Sequence, residues 1–117
     1  TATDFDRLLI PTADLAAKLH RSGLHHRDLY LCHFFAKVDG EVVDVKLIDT
    51  ARVKQLPRAL TRQRWIVKDL AQFWYSTLAL PIEEKQRDQW LARYAAARGI
   101  RLSSRLRKAI LRKVRSR

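Results

Sequence analysis

The sequence of 117 residues contains a single cysteine, Cys32, and no apolar run that approaches the length of a membrane span. One cysteine excludes a disulfide-stapled scaffold, and a span needs about 20 consecutive apolar residues. The first ten residues place Asp4, Asp6 and Arg7 beside residues 8–10, so they lack the cationic start and apolar stretch of a signal peptide. We therefore expect a soluble, intracellular domain.

Acidic residues are missing from the last stretch, residues 101–117, which holds eight of the 24 lysines and arginines. The formal net charge is +12, and such an excess favours anionic partners. Three interpretations of this segment stay open: a solvated helix face, contact with an anionic membrane surface, or nucleic-acid binding. Nucleic acid is the least favoured, because the segment has no aromatic residue on which bases could stack.

Residue spacing predicts a mostly helical α+β domain without internal repeats. A first helix should begin at Pro11-Thr12 and end before Gly23. Two β-prone runs, 34–38 and 42–48, flank Asp39-Gly40, which is a strong hairpin signal. Helical spacing returns in residues 64–79, residues 83–98 and the run that follows Ser103-Ser104. The predicted core contains Cys32 and the aromatic residues Trp65, Phe73, Trp74, Trp90 and Tyr94.

Polar residues concentrate between positions 25 and 33 and again at Asp49. Residues 25–28 are too polar for a core element, so we expect a loop there. Asp28 in this loop and Asp49 after the hairpin suit phosphoryl transfer, in which one carboxylate orients the attacking hydroxyl and another holds Mg²⁺. A turn aspartate and a strand-end cap are the plain alternative. A zinc site of His25, His26 and His33 is weaker, because adjacent histidines diverge in most backbones.

Three motifs carry a resemblance to a known family. His26-Arg27-Asp28, followed by His33, resembles the kinase catalytic loop H-R-D-x-x-x-x-N. Ile48-Asp49-Thr50 takes the place of D-F-G, and Arg64-Trp65-x-x-Lys68-Asp69-Leu70 follows. Together, over residues 11–80, they closely resemble the lipopolysaccharide kinases, bacterial enzymes that phosphorylate heptose or Kdo in the inner core of the lipid-A glycolipid. The resemblance implies the large, C-terminal lobe of a protein-kinase-like fold that uses ATP and Mg²⁺.

The resemblance also implies roles for residues of the predicted loop. Asp28 would be the catalytic base that faces the sugar hydroxyl, with Arg27 and His26 as members of the catalytic loop. Asp69 would brace this loop by accepting hydrogen bonds from its backbone N–H groups.

Two further residues would hold the nucleotide and its metal. Asp49 would bind the Mg²⁺ that bridges the ATP phosphates. His33 would support the second metal or the phosphates, although imidazole is a poor ligand for Mg²⁺. A hydrogen bond from His33 to Asp28 or to a phosphate is an equal alternative.

Several kinase features are absent from the sequence. Tyr30 stands where kinases acting on protein serine carry lysine, and no Ala-Pro-Glu follows Asp49, which argues against a protein substrate. There is no G-x-G-x-x-G and no strand lysine of the V-A-I-K type, so the nucleotide lobe is missing. We expect residues 1–117 to form a large lobe, with residues 81–117 as C-terminal helices and a basic tail.

The predicted function is therefore a lipopolysaccharide kinase-like phosphotransferase, cytoplasmic or peripheral on the cytoplasmic face of the inner membrane. Its acceptor would be the inner-core glycolipid, and this lobe alone should bind ATP weakly. The alternative is a non-catalytic basic module that binds an anionic membrane or nucleic acid through its C-terminal helix.

Overall fold

The computed structural model describes residues 2–116, apart from the side chains of residues 2, 3 and 59. Within these residues, four α-helices accompany two antiparallel sheets of two strands each. The elements are α1 (Ala2–Arg21), β1 (Leu24–His25), β2 (Phe34–Asp39), β3 (Val42–Leu47), β4 (Lys54–Gln55), α2 (Arg62–Thr77), α3 (Glu84–Arg98) and α4 (Ser104–Arg115). This order confirms the predicted α+β class with a helical majority.

The first helix corrects the predicted start at Pro11, which lies inside α1 rather than at its beginning. Proline in a helix interior costs about 3 kcal/mol. Phe5 and Leu9 lie on the buried face of the helix, 3% and 9% exposed, next to the fully buried Ala13. Burying two such side chains contributes about 1.5–3 kcal/mol each, so packing offsets the cost of the proline.

The predicted hairpin is confirmed, with Phe34 opposite Leu47 and Asp39 opposite Val42. Gly40 turns the chain in the left-handed region with φ of 62°, a conformation that glycine adopts without a Cβ penalty. The second sheet was not predicted from the sequence. It pairs only Leu24–His25 with Lys54–Gln55, a ladder too short to leave a period in the sequence.

An aromatic stack joins α2 to α3 at the centre of the core. The ring of Phe73 stacks on Trp90 at a centroid distance of 4.1 Å, and Trp90 in turn stacks on Tyr94 at 5.8 Å. Trp90 also donates its indole N–H to the Thr12 hydroxyl of α1 over 2.9 Å. Most of the predicted aromatic core is therefore confirmed. The placement of Cys32 in the core is wrong, because it lies in a short 3₁₀ turn with its side chain exposed.

The last helix begins as expected at Ser103, whose hydroxyl accepts a hydrogen bond from the Leu106 N–H. Leu106 and Ile110 are buried in the core, and α4 packs along α2. No helix in the described part of the chain has both the length and the apolar character needed to cross a membrane.

Candidate active site

Asp69, a fully buried residue on the inner face of α2, supports the loop at residues 25–28. Its carboxylate accepts hydrogen bonds from the backbone N–H groups of His26, at 2.8 Å, and Arg27, at 2.9 Å. It also lies 2.8 Å from Nε2 of His20. Three donors thus surround the buried Asp69 carboxylate. Their hydrogen bonds compensate the carboxylate for its lost hydration and fix the loop backbone.

A hydrogen-bonded chain extends this support to α1 and α3. Because Nε2 of His20 donates to Asp69, its Nδ1 accepts, and the hydroxyl of Tyr94 donates to it. Burial raises the pKa of Tyr94, which keeps this hydroxyl protonated. Arg98 donates to the same phenol oxygen over 3.2 Å. The sequence analysis missed this chain, since no local spacing connects His20 with a residue 74 positions away.

Gln72 is a second loop support that the sequence analysis missed. Its side-chain oxygen accepts from the Leu29 N–H at 3.1 Å, and its amide donates to the Arg27 carbonyl at 2.9 Å. Arg27 has φ of 75°, a left-handed conformation that costs about 1–2 kcal/mol for a residue with a Cβ. Gln72 and Asp69 hold both sides of this strained residue. Their i, i+3 spacing on one buried helix face is the signal that could have revealed Gln72.

His25 and His26 correct the expectation that this segment is too polar to be buried, since they are 4% and 0% exposed. Nδ1 of His26 accepts from the Asp28 N–H at 3.2 Å, so its Nε2 carries the proton and donates to the Ile48 carbonyl at 3.1 Å. His26 can be buried because both ring nitrogens are paired. It connects the loop directly to the residue that precedes Asp49.

His25 is buried in a different way. Its ring packs on Trp65 with centroids 5.3 Å apart, and its Nδ1 has no hydrogen-bond partner among the described residues. Burial lowers the pKa of His25, and the nearby Arg27 and Lys68 lower it further against the opposing effect of Asp69. The neutral imidazole is therefore the form that the fold favours.

His33 links the two residues that carry the candidate carboxylates. Its Nδ1 donates to the backbone carbonyl of Asp28 over 2.7 Å, which is one of the alternatives left open by the sequence. Its Nε2 lies 3.3 Å from the Asp49 carboxylate. The end of the hairpin is thus tied to the loop by one imidazole ring.

Asp28 and Asp49 differ in their surroundings. Asp28 is about a quarter exposed, and its Oδ1 lies 3.1 Å from Nη1 of Arg52, a partner that the sequence did not suggest. Asp49 is 68% exposed and takes a left-handed φ of 54° just after β3, so its carboxylate faces open space. The site offers one oriented carboxylate at Asp28 and one accessible carboxylate at Asp49.

The donor set fits magnesium better than zinc. In the described part of the chain, no three His, Cys, Asp or Glu residues converge as a metal cluster, and the histidines proposed for zinc include the fully engaged His26. Magnesium is usually held by one or two carboxylates together with substrate phosphates, and the exposed Asp49 meets that requirement. His33 fits a role in orienting Asp49 rather than in coordinating a hard cation.

A left-handed H-R-D loop held by a buried helix aspartate, with a second carboxylate after a hairpin, defines the large lobe of a protein-kinase-like fold. A solved structure of WaaP in complex with acyl carrier protein superposes with a TM-score of 0.75 and 29% identity, over 94% of this chain and 48% of that one. The model of the lipopolysaccharide kinase (Kdo/WaaP) family matches residues 6–94. The chain belongs to this family.

Curated relatives agree with this assignment. The lipopolysaccharide core heptose(I) kinase WaaP of Pseudomonas aeruginosa is 32% identical over 91 residues, and that of Escherichia coli K12 is 31% identical over 87. These matches cover 74% and 71% of the chain but only 33% and 31% of the relatives, so the chain spans about a third of their length. The acyl carrier protein in the solved complex is a class of partner that our sequence analysis did not include.

Proposed function

We propose that the protein carrying this chain transfers the γ-phosphoryl group of ATP to a sugar hydroxyl in the inner core of lipopolysaccharide. The observation that carries the proposal is the link through His33, which bonds the Asp28 backbone and contacts the Asp49 carboxylate. The family and its curated heptose kinases support the same chemistry. Residues 1–117 would be the large lobe of this enzyme, and the adenine-binding lobe would lie elsewhere in the protein.

Asp28 is the proposed base. Its carboxylate takes the proton of the acceptor hydroxyl while that oxygen bonds to the γ-phosphorus and the bond from phosphorus to the β-bridging oxygen breaks, releasing ADP. His26 and Gln72 hold the backbone on either side of Asp28, so the carboxylate is positioned before substrate arrives. Arg52 pairs with Asp28 over 3.1 Å and holds its carboxylate in one orientation when no hydroxyl is present.

Asp49 is the proposed magnesium ligand, and His33 orients its carboxylate. The bound cation would neutralise charge that develops on the transferring phosphate oxygens. Asp49 takes a left-handed conformation directly after β3, and its side chain is 68% exposed, so the carboxylate is accessible to a cation.

The test replaces each carboxylate by an isosteric amide in the full-length protein. Asp28→Asn and Asp49→Asn should each reduce phosphoryl transfer to an inner-core acceptor by about 10²–10⁴-fold, since each removes a charge that acts in the transition state. Transfer of labelled phosphate from ATP, followed by mass spectrometry of the glycolipid, measures the effect.

Asp44→Asn is the matched control, because Asp44 lies on the exposed face of β3, away from the loop. It should retain transfer within about twofold of the parent protein. Full transfer by both Asp28→Asn and Asp49→Asn would refute the assignment. Thermal unfolding of all three variants shows whether any loss reflects misfolding.

Contact with an anionic membrane surface remains a second proposal for residues 101–117, and it would place the enzyme on the cytoplasmic face of the inner membrane. Several cations of α4 are exposed, including Arg105, Lys108 and Arg115. The apolar stripe of α4 is buried in the core, however, so the helix has no free apolar face to insert. Membrane contact would then be electrostatic alone.

A further inference from the structure

A groove separates the first turns of α2 from the last turns of α4. We call it the α2–α4 groove and define it by four cations, Arg64 and Lys68 on α2 and Arg112 and Lys113 on α4. The cavity measures about 560 Å³, within the range of roughly 300–1,000 Å³ that is typical of small-molecule sites. Trp65, Val67 and Ala109 add apolar surface to its walls.

The charge of this groove is unbalanced. Among residues 2–116, no carboxylate lies within ion-pair distance of any of its four cations, and no acidic residue lines it. By contrast, Arg107 on the neighbouring face of α4 pairs with Asp88 and Glu84 of α3. The four cations of the groove therefore face one another across a recess that only an external anion could neutralise.

The surroundings of Lys68 in the groove show the same excess of positive charge. It is only partly exposed, and its ammonium lies over the ring of Trp65 at 5.1 Å from the centroid. Burial lowers the pKa of Lys68, and repulsion from Arg52, Arg27 and Lys113 lowers it further. An anion beside Lys68 would offset both effects.

One wall of the groove adjoins the candidate active site. Arg52, which repels Lys68, is the ion-pair partner of Asp28, and Trp65 packs on His25 at the start of the catalytic loop. Trp65 therefore forms a wall that the groove shares with the start of the catalytic loop. A flat bilayer could touch Arg112 and Lys113, which are exposed, but not the recessed Lys68.

We infer that the α2–α4 groove is a subsite for an acidic sugar of the acceptor, whose carboxylate or phosphate is bound by these four cations while the reacting hydroxyl of a neighbouring sugar faces Asp28. This inference rests on the proposed function, because it names a part of the acceptor for the same site. The occupant must be anionic, to match the unpaired cations, and must be a short oligosaccharide, to lie in a recess with both polar and apolar walls.

The experiment measures binding of a deacylated inner-core oligosaccharide to the full-length protein by titration calorimetry. The variant Arg112→Gln/Lys113→Gln removes two groove charges from exposed positions. It should weaken binding by about 10- to 100-fold, as expected for two lost charge-assisted contacts. The same oligosaccharide with its phosphates removed and its carboxylates reduced should bind the parent protein as weakly.

The matched control is Arg101→Gln/Arg115→Gln, which removes the same charge from the same segment outside the groove. Its binding should stay within about twofold of the parent. Equal weakening in both double variants would overturn the inference, because net charge alone would then explain binding. Equal affinity for the charged and neutral oligosaccharides would overturn it as well.

Two further probes identify other occupants. If inorganic phosphate binds the groove as tightly as the oligosaccharide, the groove holds a free anion and the inference is wrong. If the Arg112→Gln/Lys113→Gln variant loses binding to vesicles of phosphatidylglycerol and phosphatidylcholine but not to the oligosaccharide, the groove is a membrane contact. Failure of the proposed function shows separately, as full phosphoryl transfer by both Asp28→Asn and Asp49→Asn, whatever the calorimetry gives.

Discussion

The two candidate carboxylates lie in two segments that are held very differently. One is the proposed catalytic loop at residues 25–28, and the other is the segment at residues 48–52. The loop backbone is bonded by the buried side chains of Asp69 and Gln72. The second segment is connected to the loop through single side-chain contacts: the buried His26 bonds the Ile48 carbonyl and Arg52 pairs with Asp28. Asp49 itself is 68% exposed. The backbone of the proposed base, Asp28, is thus fixed by the helical core, whereas the carboxylate of the proposed magnesium ligand, Asp49, keeps access to solvent.

The same isosteric change should cost much more unfolding free energy in the first region than in the second. Asp69→Asn places an amide NH₂ against backbone N–H donors and His20 in a fully buried site, so it should cost about 2–4 kcal/mol of unfolding free energy. Asp49→Asn removes only exposed contacts and should change stability by no more than about 0.5 kcal/mol. Denaturant unfolding of the two variants measures both values. Similar losses would show that the two regions are held alike.

The pH dependence of stability at His25 tests the loop at residues 25–28, the more buried of the two segments. Because its pKa in the fold is lowered from 6.5, the unfolded chain takes up a proton that the folded chain resists. The stability contributed by neutral His25 is therefore complete above pH 6.5 and is lost as the pH falls from 6.5 toward the lower pKa of the folded state. His25→Phe keeps a ring against Trp65 and removes the titration.

Unfolding free energies measured at several values between pH 7.5 and 5.5 check this prediction. The difference between His25→Phe and the parent should shift in favour of the variant as the pH falls. A difference that does not change with pH would mean that His25 contributes nothing to acid sensitivity.

Substitution of Arg52, in the exposed segment at residues 48–52, should have the smallest effect on unfolding free energy. Its ion pair with Asp28 joins side chains that are 51% and 25% exposed, so Arg52→Gln should cost less than about 1 kcal/mol. The loss should shrink at high salt, since screening weakens exposed pairs. Arg58→Gln, which removes an equal charge from an exposed position, is the control and should leave stability unchanged. A cost from Arg52→Gln that persists at high salt would indicate that the segment is held more firmly than its exposure suggests.

The sequence predicted the helices and the hairpin well where the pattern was periodic. Leu106 and Ile110 recur at helical spacing, and the inward valines of β3 alternate, so both elements could be located. The start of α1 could not, because Pro11 signals the first turn of a helix unless packing of the residues before it offsets the cost of an internal proline. The burial of His25 and His26 was likewise invisible, since it depends on partners that are far away in the chain.

By itself the sequence determined the family, the order of the helices and the hairpin, and which carboxylates to examine, because H-R-D, Ile-Asp and the Lys-Asp-Leu segment are local patterns. Only the tertiary structure decided how these residues meet. His20, Gln72 and Tyr94 contribute through contacts between distant parts of the chain, which leave no mark in local spacing. The groove between α2 and α4 arises for the same reason, since its four cations are neighbours only after the two helices pack.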